Sequence, residues 1–266
     1  MGIRLGQHFL KNQYFAQMLA QAAHITPDDT VVEVGPGKGA LTKELLKHSR
    51  RVLAIEKDPA LIEKLRETFP DEVAGGALTI ISGDIRNFKP ETCRGLTSTG
   101  YVVAANIPYY ITGEIIRQFL ECDTPPRTMA LLIQKEVAQR IVAHDKKESI
   151  LSISVKAYGR PRIVAKVGKG CFNPPPSVDS AIIAIEDISK DFFSGFDEQS
   201  FFKVVRAGFA SKRKYLGNNL AVIFEKERVS QVFAALDIAE KTRAEDVPLQ
   251  KWKLLTLQLF ERGFQN

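Results

Sequence analysis

The chain has few of the residues that bind metals or form disulfides. Its 266 residues include three cysteines and four histidines. The cysteines, Cys93, Cys122 and Cys171, are far apart and form no CxxC pair, whereas zinc sites and disulfide frameworks need clustered or paired ligands. We therefore expect neither a disulfide framework nor a structural or catalytic metal.

Long apolar runs are also absent. No stretch approaches the roughly 18 consecutive apolar residues of a membrane helix, and Met1 to Leu10 has no apolar core of signal-peptide length. With 44% hydrophobic and 26% charged residues, the composition is that of an ordinary globular protein. These features predict a cytoplasmic protein that does not associate with membranes.

Acidic residues are missing from two stretches, one between Glu148 and Asp179 and one between Glu198 and Glu225. Basic residues accumulate in both: Lys156, Arg160, Arg162, Lys166 and Lys169 in the first, and Lys203, Arg206, Lys212, Arg213 and Lys214 in the second. The net charge is +6 and the pI about 9.1. Such stretches can neutralise nucleic-acid phosphates if they share a face. The alternative is a solvated basic surface with no partner.

Strand-like and helix-like segments alternate through the first two thirds of the chain. Apolar strand-like runs lie at residues 30–34, 51–55, 78–82, 101–105, 128–133 and 180–185, mostly with helical patterns between them. This alternation predicts an α/β fold, a Rossmann-like domain at residues 1–187 with a mostly parallel sheet and helices on both faces. Only helical patterns follow, so residues 188–266 are predicted to form a small all-helical C-terminal domain.

A glycine-rich turn, Glu33–Gly39, ends the first strong strand and opens a helix. Glycines allow the backbone to turn sharply and to present free N–H groups to a ligand. The spacing of Gly35, Gly37 and Ala40 also fits the dinucleotide-binding pattern. A methyltransferase loop, a dinucleotide site and a purely structural turn are therefore all open at this point.

Two acidic residues end the next two strands. A carboxylate at Glu56 can accept hydrogen bonds from both hydroxyls of a ribose, and one at Asp84 can accept a bond from an adenine amino group. Because the carboxyl ends of parallel strands meet at one edge of the sheet, the glycine loop, Glu56 and Asp84 should form a line there. That order favours S-adenosylmethionine as the ligand.

The fourth strand is followed by Asn106, Ile107, Pro108 and Tyr109. The segment could be a simple strand-to-helix turn, but it is similar to the (Asp/Asn/Ser)-Pro-Pro-(Tyr/Phe) motif of amino-methylating enzymes. An exocyclic adenine amine is a poor nucleophile because its lone pair is delocalised into the ring. The Asn106 oxygen and the Ile107 carbonyl could accept its N–H bonds and free that lone pair, while Tyr109 stacks on the base. Positioning of this kind supplies much of a catalytic acceleration.

Together with Gly6–Leu10, residues 132–137 and the segment from Phe172 to Ala181, these motifs resemble the ribosomal RNA adenine dimethyltransferase family, specifically its small-subunit (16S) branch. The resemblance covers nearly the whole chain. The Phe–Asn–Pro–Pro–Pro–Ser–Val–Asp–Ser–Ala segment at 172–181 is the most discriminating part. Macrolide-resistance methyltransferases of large-subunit RNA share the front half but usually lack the proline triplet.

The resemblance implies a role for each motif. His8 and Leu10 would border the cofactor S-adenosylmethionine, Gly35 would meet its methionine part, Glu56 its ribose and Asp84 its adenine. The catalytic residues implied are Asn106, Ile107, Pro108, Tyr109 and Phe172, with Asn106 between cofactor and substrate and with Tyr109 and Phe172 sandwiching the target adenine. Lys212, Arg213 and Lys214 would contact RNA phosphates.

The implied reaction is methylation of the N6 of two adjacent adenines in a hairpin loop near the 3′ end of 16S rRNA, within an assembling small ribosomal subunit. Family members are usually monomeric, and no obligatory protein partner is expected. Three other functions stay open: adenine methylation of 23S rRNA, glutamine methylation of a protein, and assembly-factor binding of RNA without turnover.

Overall fold

The computed structural model describes residues 8–93, 96 and 100–261. The described residues form two compact units, the first within residues 1–138 and 159–189 and the second within residues 139–158 and 190–266. In the described part of the chain no helix is both long and apolar enough to cross a membrane.

The first unit is built on a seven-stranded sheet. Its strands, with two short ones outside the sheet (β1 and β8), are β1 (Phe9–Leu10), β2 (Thr30–Val34), β3 (Arg51–Glu56), β4 (Leu78–Ser82), β5 (Tyr101–Asn106), β6 (Thr128–Gln134), β7 (Arg160–Val167), β8 (Phe172–Asn173) and β9 (Ser180–Glu186). The spatial order is β4-β3-β2-β5-β6-β9-β7. The first five strands in that order are parallel, and β9 runs antiparallel to both of its neighbours. The predicted mostly parallel sheet is confirmed.

Helices connect the strands. They are α1 (Gln13–Ala22), α2 (Ala40–Leu45), α3 (Pro59–Thr68), α4 (Pro70–Ala74), α5 (Thr112–Glu121) and α6 (Lys135–Val142), of which residues 139–142 of α6 are counted with the second unit. The central strands are apolar on both faces: every residue of β2 is buried, as are the first five of β5. Burial of both faces is what a parallel sheet covered by helices requires, and it explains why these strands have continuous apolar sequences.

The second unit is helical, as predicted for the C-terminal part of the chain. It contains α7 (Ile150–Lys156), α8 (Glu198–Gly208), α9 (Leu216–Leu220), α10 (Lys226–Ala235) and α11 (Leu249–Phe260). Trp252 of α11 is fully buried, stacks on Phe209 and donates a hydrogen bond to the Val247 carbonyl. At Gly208, a side chain would lie 2.4 Å from the Trp252 ring, so the two helices approach closely only because this residue is glycine.

The units differ from the predicted division at residue 187. Residues 139–158, which sequence periodicity assigned to the first domain, pack with the second unit. Tyr158 stacks on Phe202, and its hydroxyl donates to Glu198. Local periodicity identifies α7 as a helix but carries no information about which core it joins.

Candidate active site

A cavity of about 730 Å³ lies at the carboxyl edge of the parallel strands, a volume in the range of small-molecule sites. Its walls come from β1, the glycine loop after β2, the ends of β3 and β4, and the segment after β5. Nine of the residues predicted to bind cofactor or to act in catalysis line this cavity: His8, Leu10, Gly35, Glu56, Asp84, Asn106, Ile107, Pro108 and Tyr109. The one predicted residue that does not line it is Phe172.

The loop after β2 takes a path that glycine permits. Gly35, Gly37 and Gly39 have φ values of +66°, +59° and +82°, in the region where side chains are strained. At Gly37, a Cβ would also lie 3.0 Å from the ring of Phe9. The loop therefore stays open to the cavity while β1 packs directly against it.

Glu56 joins this loop to the end of β3. Its carboxylate is buried and accepts hydrogen bonds from the backbone N–H groups of Gly37 (3.3 Å), Lys57 (2.9 Å) and Asp58 (3.0 Å). These contacts hold the predicted ribose-binding carboxylate at the cavity wall.

Asp84 is engaged by a residue that the sequence analysis did not identify. Arg86 donates to both carboxylate oxygens, at 3.0 and 2.6 Å, and Lys57 lies 3.6 Å away. The hydrogen bonds from Arg86, followed by its charge and that of Lys57, hold the pKa of Asp84 well below its usual range. The group is therefore ionised at neutral pH, and Arg86 also lines the cavity. Because Arg86 is only two residues from Asp84 in the chain, the sequence could have indicated this ion pair.

Glu33, in the glycine-rich segment, is a second residue to which sequence reasoning gave no role. It is buried on the cavity wall, and its Oε2 accepts a hydrogen bond of 2.7 Å from the Thr42 hydroxyl. Its Oε1 has no partner among the described residues. Burial, and to a lesser extent the nearby Glu56 charge, raise the pKa of Glu33 to about 8. An acid of this kind can lose its proton when a cation binds beside it.

Asn106 is held by His8, the residue that precedes β1. Its Nδ2 donates to the backbone carbonyl of His8 at 3.0 Å, and its Oδ1 has no hydrogen-bond partner among the described residues. The adjacent Ile107 is buried and donates its backbone N–H to the Leu132 carbonyl. Asn106 therefore reaches the cavity with its acceptor atom available.

The strand β1 is held in turn by β8, with Phe9 opposite Asn173 and Leu10 opposite Phe172. His8 Nδ1 lies 2.9 Å from the Pro174 carbonyl, which extends the pairing by one contact. Gly6 and Gln7, which belong to the predicted Gly6–Leu10 segment, lie outside the described residues.

Phe172, which is predicted to sandwich a base with Tyr109, is not among the residues that line the cavity. Its side chain is 1% exposed and belongs to the hydrophobic core. Successive residues of a strand point to opposite sides, so the neighbouring Asn173 lines the cavity instead. The ring of His8 lies close to that of Tyr109, with centroids 5.8 Å apart. Tyr110, 65% exposed, is a further aromatic on the cavity wall that the sequence analysis did not single out.

The predicted RNA-contacting residues Lys212, Arg213 and Lys214 belong to the second unit. They are exposed in the turn between α8 and α9, and within the described ranges none has an ion-pair partner. Asn219, buried in α9, donates to the carbonyls of Gly208 and Ser211. It thereby holds the start of the loop that carries the three cations.

A family model and individual relatives match nearly the whole chain. The family model described as ribosomal RNA adenine dimethylase matches residues 2–260. A protein of Dehalococcoides mccartyi (strain CBDB1) named ribosomal RNA small subunit methyltransferase A is 42% identical over 256 residues, covering 96% of this chain and 87% of the relative. A protein of the same name from Clostridioides difficile (strain 630) is 36% identical, covering 95% of this chain and 88% of the relative.

Two solved structures are similar over nearly the full length. A dimethyladenosine transferase from Plasmodium falciparum has a TM-score of 0.78 and 26% identity, covering 93% of this chain and 96% of that chain. The 23S rRNA methyltransferase ErmE has a TM-score of 0.76 and 25% identity, covering 94% of this chain and 99% of that chain.

Proposed function

The chain belongs to the ribosomal RNA adenine dimethylase family, and from this premise we propose its reaction and its substrate. The protein is an S-adenosylmethionine-dependent rRNA adenine dimethyltransferase. Its target, in this proposal, is the N6 of two adjacent adenines in a hairpin loop near the 3′ end of 16S rRNA, methylated during small-subunit biogenesis. The relatives at 36–42% identity carry the small-subunit name.

The cavity residues fit the cofactor. Buried Glu33 has an oxygen without a partner among the described residues, which suits the ammonium of the methionine part. Among the described residues other than Gly35 and its two chain neighbours, no heavy atom lies within 4 Å of where a Cβ of Gly35 would be, so a ligand can approach the backbone there, and Glu56 suits the ribose hydroxyls. In this proposal Asp84 accepts a hydrogen bond from the adenine amino group. To do so, it must give up part of its hydrogen bonding with Arg86.

S-adenosylmethionine supplies a methyl group on a cationic sulfonium that is already activated toward nucleophiles. Asn106 is the residue that acts on the acceptor. Because its Nδ2 is committed to the His8 carbonyl, the amide is oriented with Oδ1 as the acceptor for an N–H of the substrate amine. A hydrogen bond that strengthens as the nitrogen becomes pyramidal stabilises the transition state more than the ground state. The orientation of this amide is the observation that carries the proposal.

The substrate base needs a platform as well as an acceptor. In this proposal the ring of Tyr109 stacks on the adenine, and the backbone carbonyl of Ile107 accepts its second N–H. Proteins that act on a base in RNA splay it out of the loop and hold it by stacking and by its hydrogen-bonding edge. The exposed cations Lys212, Arg213 and Lys214 would contact phosphates of the same RNA. We further propose that the protein is cytoplasmic and acts as a monomer on an assembling subunit.

The test uses radiolabelled S-adenosylmethionine with separately purified, undermethylated small and large ribosomal subunits. We expect label in small-subunit RNA as N6,N6-dimethyladenosine. Label confined to the large subunit would keep the chemistry but replace the substrate by 23S rRNA, the activity named for ErmE. Cofactor binding without label in either subunit would overturn the proposal in favour of RNA binding without turnover.

A further inference from the structure

Ser180 is a fully buried polar residue beside the cavity to which the proposed mechanism gives no role. It is 0% exposed and begins β9. It belongs to the 172–181 segment that carries most of the family resemblance. Its backbone is held on both sides, opposite Gln134 of β6 and opposite Val167 of β7. The sheet therefore fixes the backbone that carries the Ser180 hydroxyl.

This hydroxyl contacts the residue proposed to stack on the substrate. The Oγ of Ser180 lies 2.6 Å from the hydroxyl oxygen of Tyr109, and the two residues are 71 positions apart in sequence. Burial raises the pKa of Tyr109, so its hydroxyl stays protonated at neutral pH and the pair shares a neutral hydrogen bond.

Tyr109 needs such a contact because its backbone gives limited support. It begins a 3₁₀ helix of three residues, Tyr109–Ile111, and the residue is only partly buried. A tyrosine ring turns about two side-chain bonds. A hydrogen bond at its hydroxyl fixes the direction in which the ring extends, and it limits rotation of the ring plane because a phenolic O–H prefers to lie in that plane. The ring of His8 lies nearby, but a tilted ring at 5.8 Å between centroids does not by itself define an orientation.

We propose that Ser180 is a positioning residue for methyl transfer, whose buried hydroxyl holds the Tyr109 ring in the orientation that the target base meets. The inference rests on the proposed function, since it assumes that the base stacks on Tyr109. It assigns the serine of the Val178–Asp179–Ser180 segment a positioning role in methyl transfer. Asp179, beside it, instead accepts a hydrogen bond from the Lys169 backbone and organises the loop.

The test is a double-mutant cycle with Ser180→Ala, Tyr109→Phe and the combined variant. Tyr109→Phe keeps the stacking ring and removes only the hydroxyl. A neutral hydrogen bond contributes about 0.5–1.5 kcal/mol, and a tenfold change corresponds to about 1.4 kcal/mol. We therefore expect each single variant to lower kcat about threefold to tenfold on undermethylated small subunits. The combined variant should lower it no further, because both changes break the same contact.

The matched control is Tyr101→Phe. Tyr101 is also buried, donates its hydroxyl to the Thr124 carbonyl at 2.9 Å, and lies at the first residue of β5, away from the cavity. It should lose stability while retaining wild-type kcat. For Ser180→Ala, calorimetry should give an S-adenosylmethionine Kd within about twofold of wild type, since Ser180 does not line the cavity.

Two results would overturn the inference. One is a combined variant whose loss of kcat equals the product of the two single-variant losses, because that would mean that the two hydroxyls act independently. The other is wild-type kcat in Tyr109→Phe, which decides the matter even if Ser180→Ala does not fold. Both results require a wild-type protein that methylates small-subunit RNA. Absence of that activity would instead refute the proposed function.

Discussion

Replacing Glu33 by glutamine should change how the stability of the protein depends on pH. Glu33 is 1% exposed, and its pKa is raised from 4.5 to about 8, chiefly by burial. A carboxyl whose pKa is higher in the folded than in the unfolded protein favours folding in its protonated form. Its contribution is fully present below the unfolded pKa and is lost as the pH rises through the folded pKa.

The magnitude follows from the two pKa values. Between them the unfolded chain releases a proton that the folded protein keeps, so stability falls by about 1.4 kcal/mol per pH unit. From about pH 5 to about pH 7.5 the accumulated loss is about 3 kcal/mol. The amide introduced by Glu33→Gln keeps an acceptor for the Thr42 hydroxyl but carries no titratable group. Relative to wild type, the variant should therefore become more stable as the pH rises across this interval.

The assay is urea unfolding of both proteins without ligand at half-unit steps from about pH 4 to about pH 8.5, a range that brackets the folded and unfolded pKa values. Glu44→Gln is the matched control because Glu44 is equally buried. Burial acts to raise its pKa, but hydrogen bonds from Lys47 and Gln13 outweigh it and the pKa is lowered. Its contribution is present above the unfolded pKa and lost as the pH falls, so Glu44→Gln should destabilise most near neutral pH. Parallel stability curves for wild type and Glu33→Gln would refute the reasoning about Glu33.

Three further predictions concern the proposed reaction. Asn106→Ala should reduce methyl transfer at least about 100-fold, because a transition-state hydrogen bond is lost, while circular dichroism shows an unchanged fold; near-normal turnover would contradict the mechanism. Glu56→Ala should raise the S-adenosylmethionine Kd about tenfold to a hundredfold in calorimetry, since hydrogen bonds to a charged group contribute about 1.5–3 kcal/mol. An unchanged Kd would show that Glu56 does not bind the ribose. Changing Lys212, Arg213 and Lys214 together to Ala should weaken RNA binding and flatten the slope of log K against log salt by about 2, whereas an unchanged slope would place the RNA surface elsewhere.

The order of elements was predictable because it depends on local patterns. Continuous apolar runs such as Thr30–Val34 indicate strands that are buried on both faces, and the structure has β2 at those residues. The glycine loop, Glu56 and Asp84 follow successive strands, and parallel strands bring their carboxyl ends to one edge. Their shared cavity thus follows from sequence order alone.

Side-chain direction and long-range pairing were not predictable in this way. Phe172 was expected to face a substrate base, but pairing of β8 with β1 turns it into the core and turns Asn173 toward the cavity. Residues 139–158 were assigned to the first domain, but the contacts of Tyr158 join them to the second unit. Neither result could be predicted from the local sequence, because each depends on contacts with a segment that is distant in the chain.

By itself, therefore, the sequence determined the α/β class, the edge of the sheet that carries the cavity and the chemistry expected of Asn106, since these need only element order and residue type. The tertiary structure decided which groups each carboxylate and hydroxyl contacts. The Oε1 of Glu33 is left without a partner among the described residues, Asp84 is engaged by Arg86, and Tyr109 is joined to Ser180 across 71 residues. The physical reason is that burial and hydrogen bonding depend on distances of a few ångströms between chain segments, and only the folded chain sets those distances.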